Sequence, residues 1–282
     1  MICSTRISWP LALVVSLAFS VQPVDVLAAE PPRPLVVGHR GLMNLAPECT
    51  LAAFRGCVAM RCGFEFDVRR TKDGQLVCLH DPTLDRTTNG RGNLADLNFA
   101  EVRKLDAGSR FDPAFHSERI PSIDEIFALI AEQSHGQGLF AVDLKEAGDG
   151  LEDRLVRLAE ARKILDRLLF IGLTIESPDV RSRLKKASPQ APTARLAATS
   201  EEITSVLADK DSDWVYVRVL PTPDDIRRIH SAGKRIFIAG PLVAGAEPAN
   251  WKKATDLGID AILTDHPLDL AKQLRGNSAN ER

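Results

Sequence analysis

Four short motifs carry acidic, histidine and basic residues at intervals suited to phosphoester chemistry. They are Gly38-His39-Arg40-Gly41, Glu65-Phe66-Asp67, Leu79-His80-Asp81 and Asp143-Leu144-Lys145. Residues i and i+2 of a strand share a face, so Glu65 and Asp67 are expected to project together. Buried charges this close need a counter-ion. With Asp143 as a third carboxylate, the set favours one hard divalent cation, Mg²⁺ or Ca²⁺.

Histidines and cationic side chains complete this chemistry. His39 and His80 lie on separate predicted strands, where one would deprotonate a nucleophile and the other would protonate a leaving alkoxide. Arg40 and Lys145 add positive charge for an anionic substrate. A cation, two histidines and basic donors together favour phosphoester cleavage over acyl or glycosyl transfer.

The motifs end predicted strands in a chain that alternates short apolar runs with amphipathic ones. This alternation predicts an α/β fold with a parallel sheet, and at this length a (β/α)8 TIM barrel. One of the nine strand candidates is expected to lie outside the eight regular places. The candidates are 35–38, 64–68, 76–79, 139–144, 168–173, 193–196, 214–219, 235–239 and 261–264.

Two features make the predicted barrel irregular. The link between the second and third strand candidates is too short for a helix, since a parallel crossover needs about a dozen residues. We expect an extended loop there that turns at Asp73-Gly74. Residues 82–121 have no clean strand pattern. They are predicted to be a small insertion after strand three, over the carboxyl ends of the strands, where barrels keep their active sites.

The N-terminus has the pattern of a secretory leader. Arg6 precedes a nearly uninterrupted apolar run from Pro10 to Val21, and small residues follow at Ala28 and Ala29. This run is shorter than the ~20 residues that span a bilayer. A cleaved signal peptide over residues 1–29 is therefore favoured over a membrane anchor. The predicted mature protein is exported, periplasmic or secreted, with a barrel over 33–275 and a flexible tail over 276–282.

Composition narrows the range of partners. The 282 residues are 44% hydrophobic and 26% charged, with a formal net charge of −2. No basic block would replace the counterions of a duplex, so nucleic acid is not expected as a partner. No later segment predicts a stable membrane span, and no pattern indicates an oligomeric state. Buried free thiols are slightly favoured over disulfides for the cysteines beyond the leader, Cys49, Cys57, Cys62 and Cys78.

The ordered set of motifs resembles the glycerophosphodiester phosphodiesterase family. The resemblance rests on HRG at 39–41, APECT at 46–50, EFDV at 65–68 with TKDG at 71–74, LHDPTLDRTT at 79–88 and ILTDHP at 262–267. It implies a barrel with one divalent metal that hydrolyses glycerophosphodiesters, small molecules of lipid and glycerol metabolism. The implied products are glycerol 3-phosphate and an alcohol, formed through a cyclic phosphate after attack by a neighbouring glycerol hydroxyl.

Carried over by position, the resemblance implies individual roles. His39 and His80 resemble the acid/base pair, and Glu65 and Asp67 resemble metal ligands. A last group resembles contacts to the phosphate or substrate, with Glu48 as a support residue near the metal. This group consists of Arg40, Lys145 and Glu48.

Three departures from the family pattern concern the metal and the substrate end of the pocket. Cys49 stands where the family usually has Asn, so one orienting hydrogen bond is expected to be missing. Asp143 stands where the family usually has Glu, and its shorter side chain must bring the metal closer or bind it through water. Segment 235–240 replaces a Trp-Thr-Val-Asn stretch.

Other interpretations of the same residues remain open. A related lysophospholipid or sphingolipid phosphodiesterase would need an apolar lip, and a catalytically impaired barrel would act as a binding protein. The histidines and carboxylates could instead be structural, with Asp143 paired to Lys145. Asp81 is expected to begin the turn at Pro82 rather than do chemistry. Asp265 is expected to close the barrel, and the tryptophans Trp214 and Trp251 to pack in the core.

Overall fold

The computed structural model describes residues 33–277, which contain nine strands and ten α-helices. The strands are β1 (Leu35–Gly38), β2 (Gly63–Arg70), β3 (Leu76–Cys78), β4 (Phe140–Leu144), β5 (Leu168–Ile171), β6 (Ala194–Ala197), β7 (Trp214–Val217), β8 (Arg235–Ile238) and β9 (Ala261–Thr264). The helices are α1 (Leu51–Ala59), α2 (Phe99–Val102), α3 (Ile123–Gln133), α4 (Leu151–Ala161), α5 (Pro178–Ala187), α6 (Ser200–Ala208), α7 (Pro223–Ser231), α8 (Pro241–Ala244), α9 (Pro248–Asp256) and α10 (Pro267–Asn277). The predicted leader lies outside the described residues.

Eight of the strands form the predicted parallel barrel. Their order is β5-β4-β2-β1-β9-β8-β7-β6. A single parallel bridge between Phe170 and Thr193 joins β5 to β6 within the described range, so the barrel is nearly closed. Each of the nine predicted strand segments is present, with ends that shift by up to a few residues.

Strand β3 is the candidate that lies outside the barrel. It pairs antiparallel with the end of β2, with Val68 opposite Cys78. The expected extended link is therefore a β-hairpin, and Gly74 takes a left-handed conformation in its turn (φ 76°). Strand β3 runs back toward the barrel, and the pairing continues past its end, where the Leu79 N–H donates to the carbonyl of Asp67 at 3.2 Å. The hairpin thus returns His80 to the barrel mouth beside β2.

The insertion over 82–121 packs on an apolar cluster of its own. It contains the short helix α2, which begins with a capping box between Asn98 and Glu101. An isolated bridge joins Thr83 to Asn93, and no named strand lies within this segment, as predicted. The buried members of its cluster, with two residues from the hairpin, are Val77, Leu79, Leu84, Leu94, Val102, Ala107 and Ile120.

The pleat of β2 separates the core from the barrel interior. Phe64 and Phe66 point outward, where they meet Phe54 of α1 and Phe127 of α3. The ring centroids of Phe54 and Phe64 lie 4.3 Å apart, and those of Phe66 and Phe127 lie 6.3 Å apart. Burial of each phenylalanine contributes roughly 1.5–3 kcal/mol. Alternate side chains of a strand face opposite ways, so this outward packing of the phenylalanines directs Glu65 and Asp67 to the barrel axis.

The outer helices begin at side-chain caps and pack inward. Ser122 opens α3 with a capping box to Glu125, and Thr222 does the same for α7 with Asp225. Trp251 of α9 is buried and donates its indole N–H to the Val243 carbonyl at 2.9 Å, so it is a packing residue, as predicted. In residues 33–277, no helix has the length and apolar character needed to cross a membrane.

Candidate active site

A cavity of about 400 Å³ opens at the carboxyl ends of the barrel strands. It collects residues that come from β1, β2, β4 and the segment after β3. The predicted site residues that line it are His39, Arg40, Glu65, Asp67, His80, Asp143 and Lys145. Glu48 does not line this cavity and lies behind Arg40.

Three carboxylates meet on one side of the cavity. Oxygens from Glu65, Asp67 and Asp143 lie within 4.8 Å of one another. Asp67 and Asp143 are direct partners across the β2–β4 ladder, so an aspartate on β4 reaches the group despite its short side chain. Burial and then the charges of Asp67 and Asp143 raise the pKa of Glu65. Burial also raises the pKa of Asp143, against the opposing effect of Lys145.

The donor set of this cluster fits a hard divalent cation. Asp67 Oδ1 and Asp143 Oδ1 are both buried and make no hydrogen bond among the described residues. Lys145 Nζ lies 2.6 Å from Asp143 Oδ2 and 2.9 Å from Asp67 Oδ1, and the second contact is an ion pair without hydrogen-bond alignment. One ammonium does not balance three carboxylates, and carboxylate oxygens are the ligands that Mg²⁺ and Ca²⁺ prefer.

Lys145 lies between carboxylates rather than free in the cavity. Burial opposes its charge, but the attraction of Asp67 and Asp143 is larger and raises the pKa of Lys145. It therefore stays cationic at neutral pH. The alternative ion pair between Asp143 and Lys145 is present, together with the predicted carboxylate cluster.

The backbone turn after β1 positions Arg40. Arg40 has a left-handed conformation (φ 52°), which directs its backbone N–H to Glu65 Oε2 at 3.0 Å. Gly41 follows at φ 86°, and a Cβ there would lie 2.7 Å from the Cβ of Ala53, so only glycine fits. The side-chain Nη1 donates to Glu48 at 3.0 Å, while Nε is buried without a hydrogen-bond partner among the described residues. The guanidinium therefore keeps one buried donor for which residues 33–277 supply no acceptor.

Glu48 links Arg40 to the insertion. Its two oxygens accept from Arg86 Nη1 and Nη2 at 2.7 and 2.8 Å, and Oε1 also accepts from Arg40. Burial opposes ionisation, but the hydrogen bonds and charges of the two arginines lower the pKa of Glu48. Glu48 is thus a support for Arg40, with no direct access to the cavity.

Each histidine of the cavity is held by an aspartate. His39 Nδ1 lies 2.7 Å from Asp265 Oδ1, and His80 Nδ1 lies 2.7 Å from Asp81 Oδ1. The hydrogen bond from His39 lowers the pKa of Asp265. Arg86, whose Nε donates to Asp81 at 2.6 Å, and then His80 hold the pKa of Asp81 well below its usual value. With Nδ1 engaged, Nε2 of each ring is left for chemistry.

Comparisons with known proteins identify the family of this chain. The model of the glycerophosphoryl diester phosphodiesterase family matches residues 39–269. This chain belongs to that family. A glycerophosphodiester phosphodiesterase from Bacillus subtilis is 27% identical over 277 residues, which cover 89% of this chain and 91% of the relative. One from Caldanaerobacter subterraneus is 39% identical over 140 residues. This match covers 48% of this chain and 56% of the relative, so the match spans about half of the relative's length.

A solved structure of the family shares the fold. The crystal structure of a glycerophosphodiester phosphodiesterase from Agrobacterium tumefaciens has a TM-score of 0.71 at 25% sequence identity. The match covers 85% of this chain and 99% of that chain. Family membership classes the chain as an enzyme, a phosphoric diester hydrolase, and the predicted family and barrel are both confirmed.

Some of the residues that contact the two histidines of the cavity were missed from sequence. Asp81 is expected from sequence to begin the turn at Pro82 rather than do chemistry, and its carboxylate also contacts His80 and Arg86. Asp265 does follow the last barrel strand, and it also contacts His39. Arg86 lies within the LHDPTLDRTT motif, so its position gave a usable signal, although its partners did not.

Cys49 replaces the usual family asparagine with a weaker polar contact. Its backbone is left-handed (φ 58°), and its buried thiol donates to Asp67 Oδ2 at 3.4 Å. Cys57, Cys62 and Cys78 are likewise buried, and all four cysteines are free thiols, as favoured from sequence. The expected missing hydrogen bond is therefore replaced by a thiol contact to a proposed metal ligand.

The side of the cavity opposite the carboxylates is made by small or apolar residues and one arginine. Ala239 and Gly240, from the segment that departs from the family pattern, line it together with Tyr216 and Arg218. Burial raises the pKa of Tyr216, whose ring packs on Phe237 with centroids 5.6 Å apart. Sequence reasoning did not identify Tyr216 and Arg218, because no motif marks the end of β7.

Proposed function

We propose that this chain is a metal-dependent hydrolase that cleaves small glycerophosphodiesters to glycerol 3-phosphate and an alcohol. The observation that carries this proposal is the arrangement around one cavity. The residues that line it include the carboxylate cluster, two histidines held by aspartates, and Arg40, whose Nε has no hydrogen-bond partner among the described residues. Family membership supports the same reaction.

The proposed cation ligands are Glu65, Asp67 and Asp143, for one Mg²⁺ or Ca²⁺ ion. The two buried carboxylate oxygens without hydrogen bonds support this assignment. When bound, such a cation supplies Lewis-acid polarisation of a phosphoryl oxygen. Lys145 moderates the negative charge of the cluster and provides a cationic donor to the phosphate.

The proposed proton-transfer pair is His39 and His80. Because aspartates hold both Nδ1 atoms, the neutral ring presents Nε2 as an acceptor and the imidazolium presents it as a donor. One histidine takes the proton of the attacking hydroxyl, and the other gives a proton to the leaving alkoxide. Arg40 Nε donates to a phosphate oxygen, and Glu48 keeps the guanidinium in place as a positioning residue.

Turnover of glycerophosphocholine by the purified protein tests this proposal. We expect activity with Mg²⁺ or Ca²⁺ and its loss after thorough chelation. His39→Ala and His80→Ala should each lower kcat by about 10³-fold, within the usual range for a general acid or base. Turnover that survives chelation would contradict the metal assignment, and near-normal turnover in either variant would contradict the acid/base pair. Absence of turnover on any diester would favour a binding protein.

A related lysophospholipid activity is a second candidate. It is favoured by exposed apolar side chains in loops that follow barrel strands, Leu173 after β5 (81% exposed) and Val219 after β7 (51% exposed). These side chains could contact an acyl chain. A kcat/KM for lysophosphatidylcholine tenfold above that for glycerophosphocholine would support this candidate, and the reverse would exclude it as the main activity.

We also propose that the chain is exported after removal of residues 1–29, which leaves a barrel domain over about 33–275. The support is the apolar run and the small residues at its end. Mass spectrometry of the protein from the producing cells should give a mature N-terminus at Ala29 or Glu30. An intact Met1 in the exported fraction would contradict cleavage.

A further inference from the structure

A second opening adjoins the proposed phosphodiester site. It has a volume of about 290 Å³ and shares Asp143, Lys145, Tyr216 and Arg218 with the first cavity. Leu173 is among the apolar residues that form its other walls. A substrate arm that extends from the first cavity into the second therefore passes among these shared residues, of which Arg218 is one.

Arg218 differs from the other two cations of the first cavity. Arg40 is paired with Glu48, and Lys145 is paired with Asp67 and Asp143. Arg218 is exposed, and it makes no hydrogen bond or ion pair with any residue in the described range 33–277. Of these three cations, Arg218 is thus the one whose guanidinium has no protein partner within residues 33–277.

The barrel topology places Arg218 across the cavity from the two carboxylates of β2. Glu65 and Asp67 lie on β2, and Arg218 follows β7. In the ring of strands, β4, β5 and β6 separate β2 from β7 on one side, and β1, β9 and β8 separate them on the other. Arg218 therefore lies across the barrel from Glu65 and Asp67, while Asp143 borders the second opening on the side of β4.

The end of β8 leaves room for this guanidinium. Gly240 follows β8 at φ 102°, and a Cβ there would lie 3.3 Å from Arg218 Nε and 3.5 Å from Arg218 Cβ. The side chain of Arg218 thus runs close over the backbone of Gly240. In the proposed function Arg40 and Lys145 serve the charge of the monoanionic phosphodiester. Arg218, which has no ion-pair partner in the described range, is then available at the second opening for a different anion.

We propose that Arg218 binds a carboxylate on the alcohol arm of the substrate, and that the chain prefers glycerophosphodiesters with such an arm. A guanidinium matches a carboxylate with two parallel hydrogen bonds, which gives recognition as well as attraction. This inference rests on the proposed hydrolysis of glycerophosphodiesters. Arg218 is then a specificity residue for the arm, separate from the groups that bind the scissile phosphate.

Glycerophosphoserine and glycerophosphoethanolamine form a matched pair of probes, since they differ by one carboxylate. We expect wild-type kcat/KM to be at least about tenfold higher for the serine diester, which corresponds to ~1.4 kcal/mol. Arg218→Gln should lower this ratio about tenfold, and Arg218→Lys should lower it less, because the charge remains while the fork is lost. Arg227→Gln removes an exposed α7 cation paired with Asp224 and should leave the ratio unchanged.

Two results would overturn the inference. One is an equal loss on both substrates in Arg218→Gln, which would assign Arg218 to the scissile phosphate. The other is a wild-type enzyme that does not distinguish the two diesters. If the wild type hydrolyses neither, the proposed function fails, and calorimetric binding of both diesters decides the inference. Tighter binding of the serine diester that is lost in Arg218→Gln supports it, and equal binding overturns it.

Discussion

The two histidine–aspartate pairs of the site have the same contact in different surroundings. In each, Nδ1 and Oδ1 lie 2.7 Å apart. Asp265 comes from the end of β9, the neighbour of β1 in the barrel, and makes no other side-chain hydrogen bond among the described residues. Asp81 is adjacent to His80 in sequence, and its second oxygen accepts from Arg86 of the insertion. One pair depends on barrel closure and the other on the insertion.

This difference sets different requirements for the two carboxylates. Asp265 serves one donor, so an amide oxygen at that position could still accept from His39. Asp81 serves two donors at once, from His80 and Arg86. The aspartate uses Oδ1 for His80 and Oδ2 for Arg86, and an asparagine would put an NH₂ donor in place of one of these oxygens, so one of the two contacts would be lost. The His80 pair is therefore expected to be the more sensitive to neutral substitution, although its two residues are neighbours in sequence.

The largest expected effect is on turnover after neutral substitution of each aspartate. Asp81→Asn should lower kcat by roughly 10²-fold and Asp265→Asn by roughly tenfold, both within the range that acid–base catalysis contributes. The first variant loses charge and one hydrogen bond, whereas the second loses charge alone. Steady-state kinetics on glycerophosphocholine, with melting curves to confirm folding, measures both. Equal losses, or a larger loss at Asp265, would break the comparison.

Arg86 provides a sharper test of the same comparison. Arg86→Met should lower kcat by about tenfold, because it removes the hydrogen bonds that Arg86 donates to Asp81 and to Glu48. The double variant with Asp81→Asn should lose less than the product of the two single effects, since the amide then has one donor to satisfy. Arg91→Met, an exposed residue of the same insertion, is the control and should leave kcat unchanged. Multiplicative losses would show that Arg86 acts independently of His80.

The two pairs also differ in how far sequence could predict them. The alternation of apolar segments predicted the barrel, and the motifs predicted which residues line the cavity, because strand ends and the two-residue period are local properties. The contact between His39 and Asp265 spans 226 positions and follows from the closure of β9 onto β1. The second partner of Asp81 is Arg86, which belongs to the insertion, a segment without a clean strand pattern in the sequence. Arg218 lies in no motif, so three-dimensional placement alone revealed it.

The carboxylate cluster between the pairs should have the opposite pH dependence to the paired aspartates. Burial raises the pKa of Glu65, so in metal-free protein its contribution to stability is greatest at low pH and is lost as pH rises from about 4.5 through the folded-state pKa. The lowered pKa values of Asp81 and Asp265 give stability that is present above about pH 4 and is lost as pH falls.

Glu65→Gln tests this contrast. In chelator at pH 8, the variant should be more stable than wild type by on the order of 1–2 kcal/mol, since it removes a buried charge, and the difference should vanish near pH 4. Urea unfolding at both pH values measures it, with Glu132→Gln, an exposed carboxyl on α3, as control. Mg²⁺ or Ca²⁺ should stabilise wild type and not Glu65→Gln. A constant difference across pH would contradict the assigned shift.

The smallest expected effect is on stability and concerns Cys49. Its thiol contacts Asp67, a member of the carboxylate cluster. Cys49→Asn should raise the free energy of unfolding by about 0.5 kcal/mol, because asparagine tolerates the left-handed backbone better and its amide is a stronger donor to Asp67. For a barrel of this size the melting temperature should then rise by about 1–2 °C. Cys49→Ala removes the contact to Asp67 and does not make the left-handed backbone more favourable, so it should lower the melting temperature. If Asn proves less stable than Ala, tight packing of the buried thiol, rather than its hydrogen bond, explains why cysteine stands at this position.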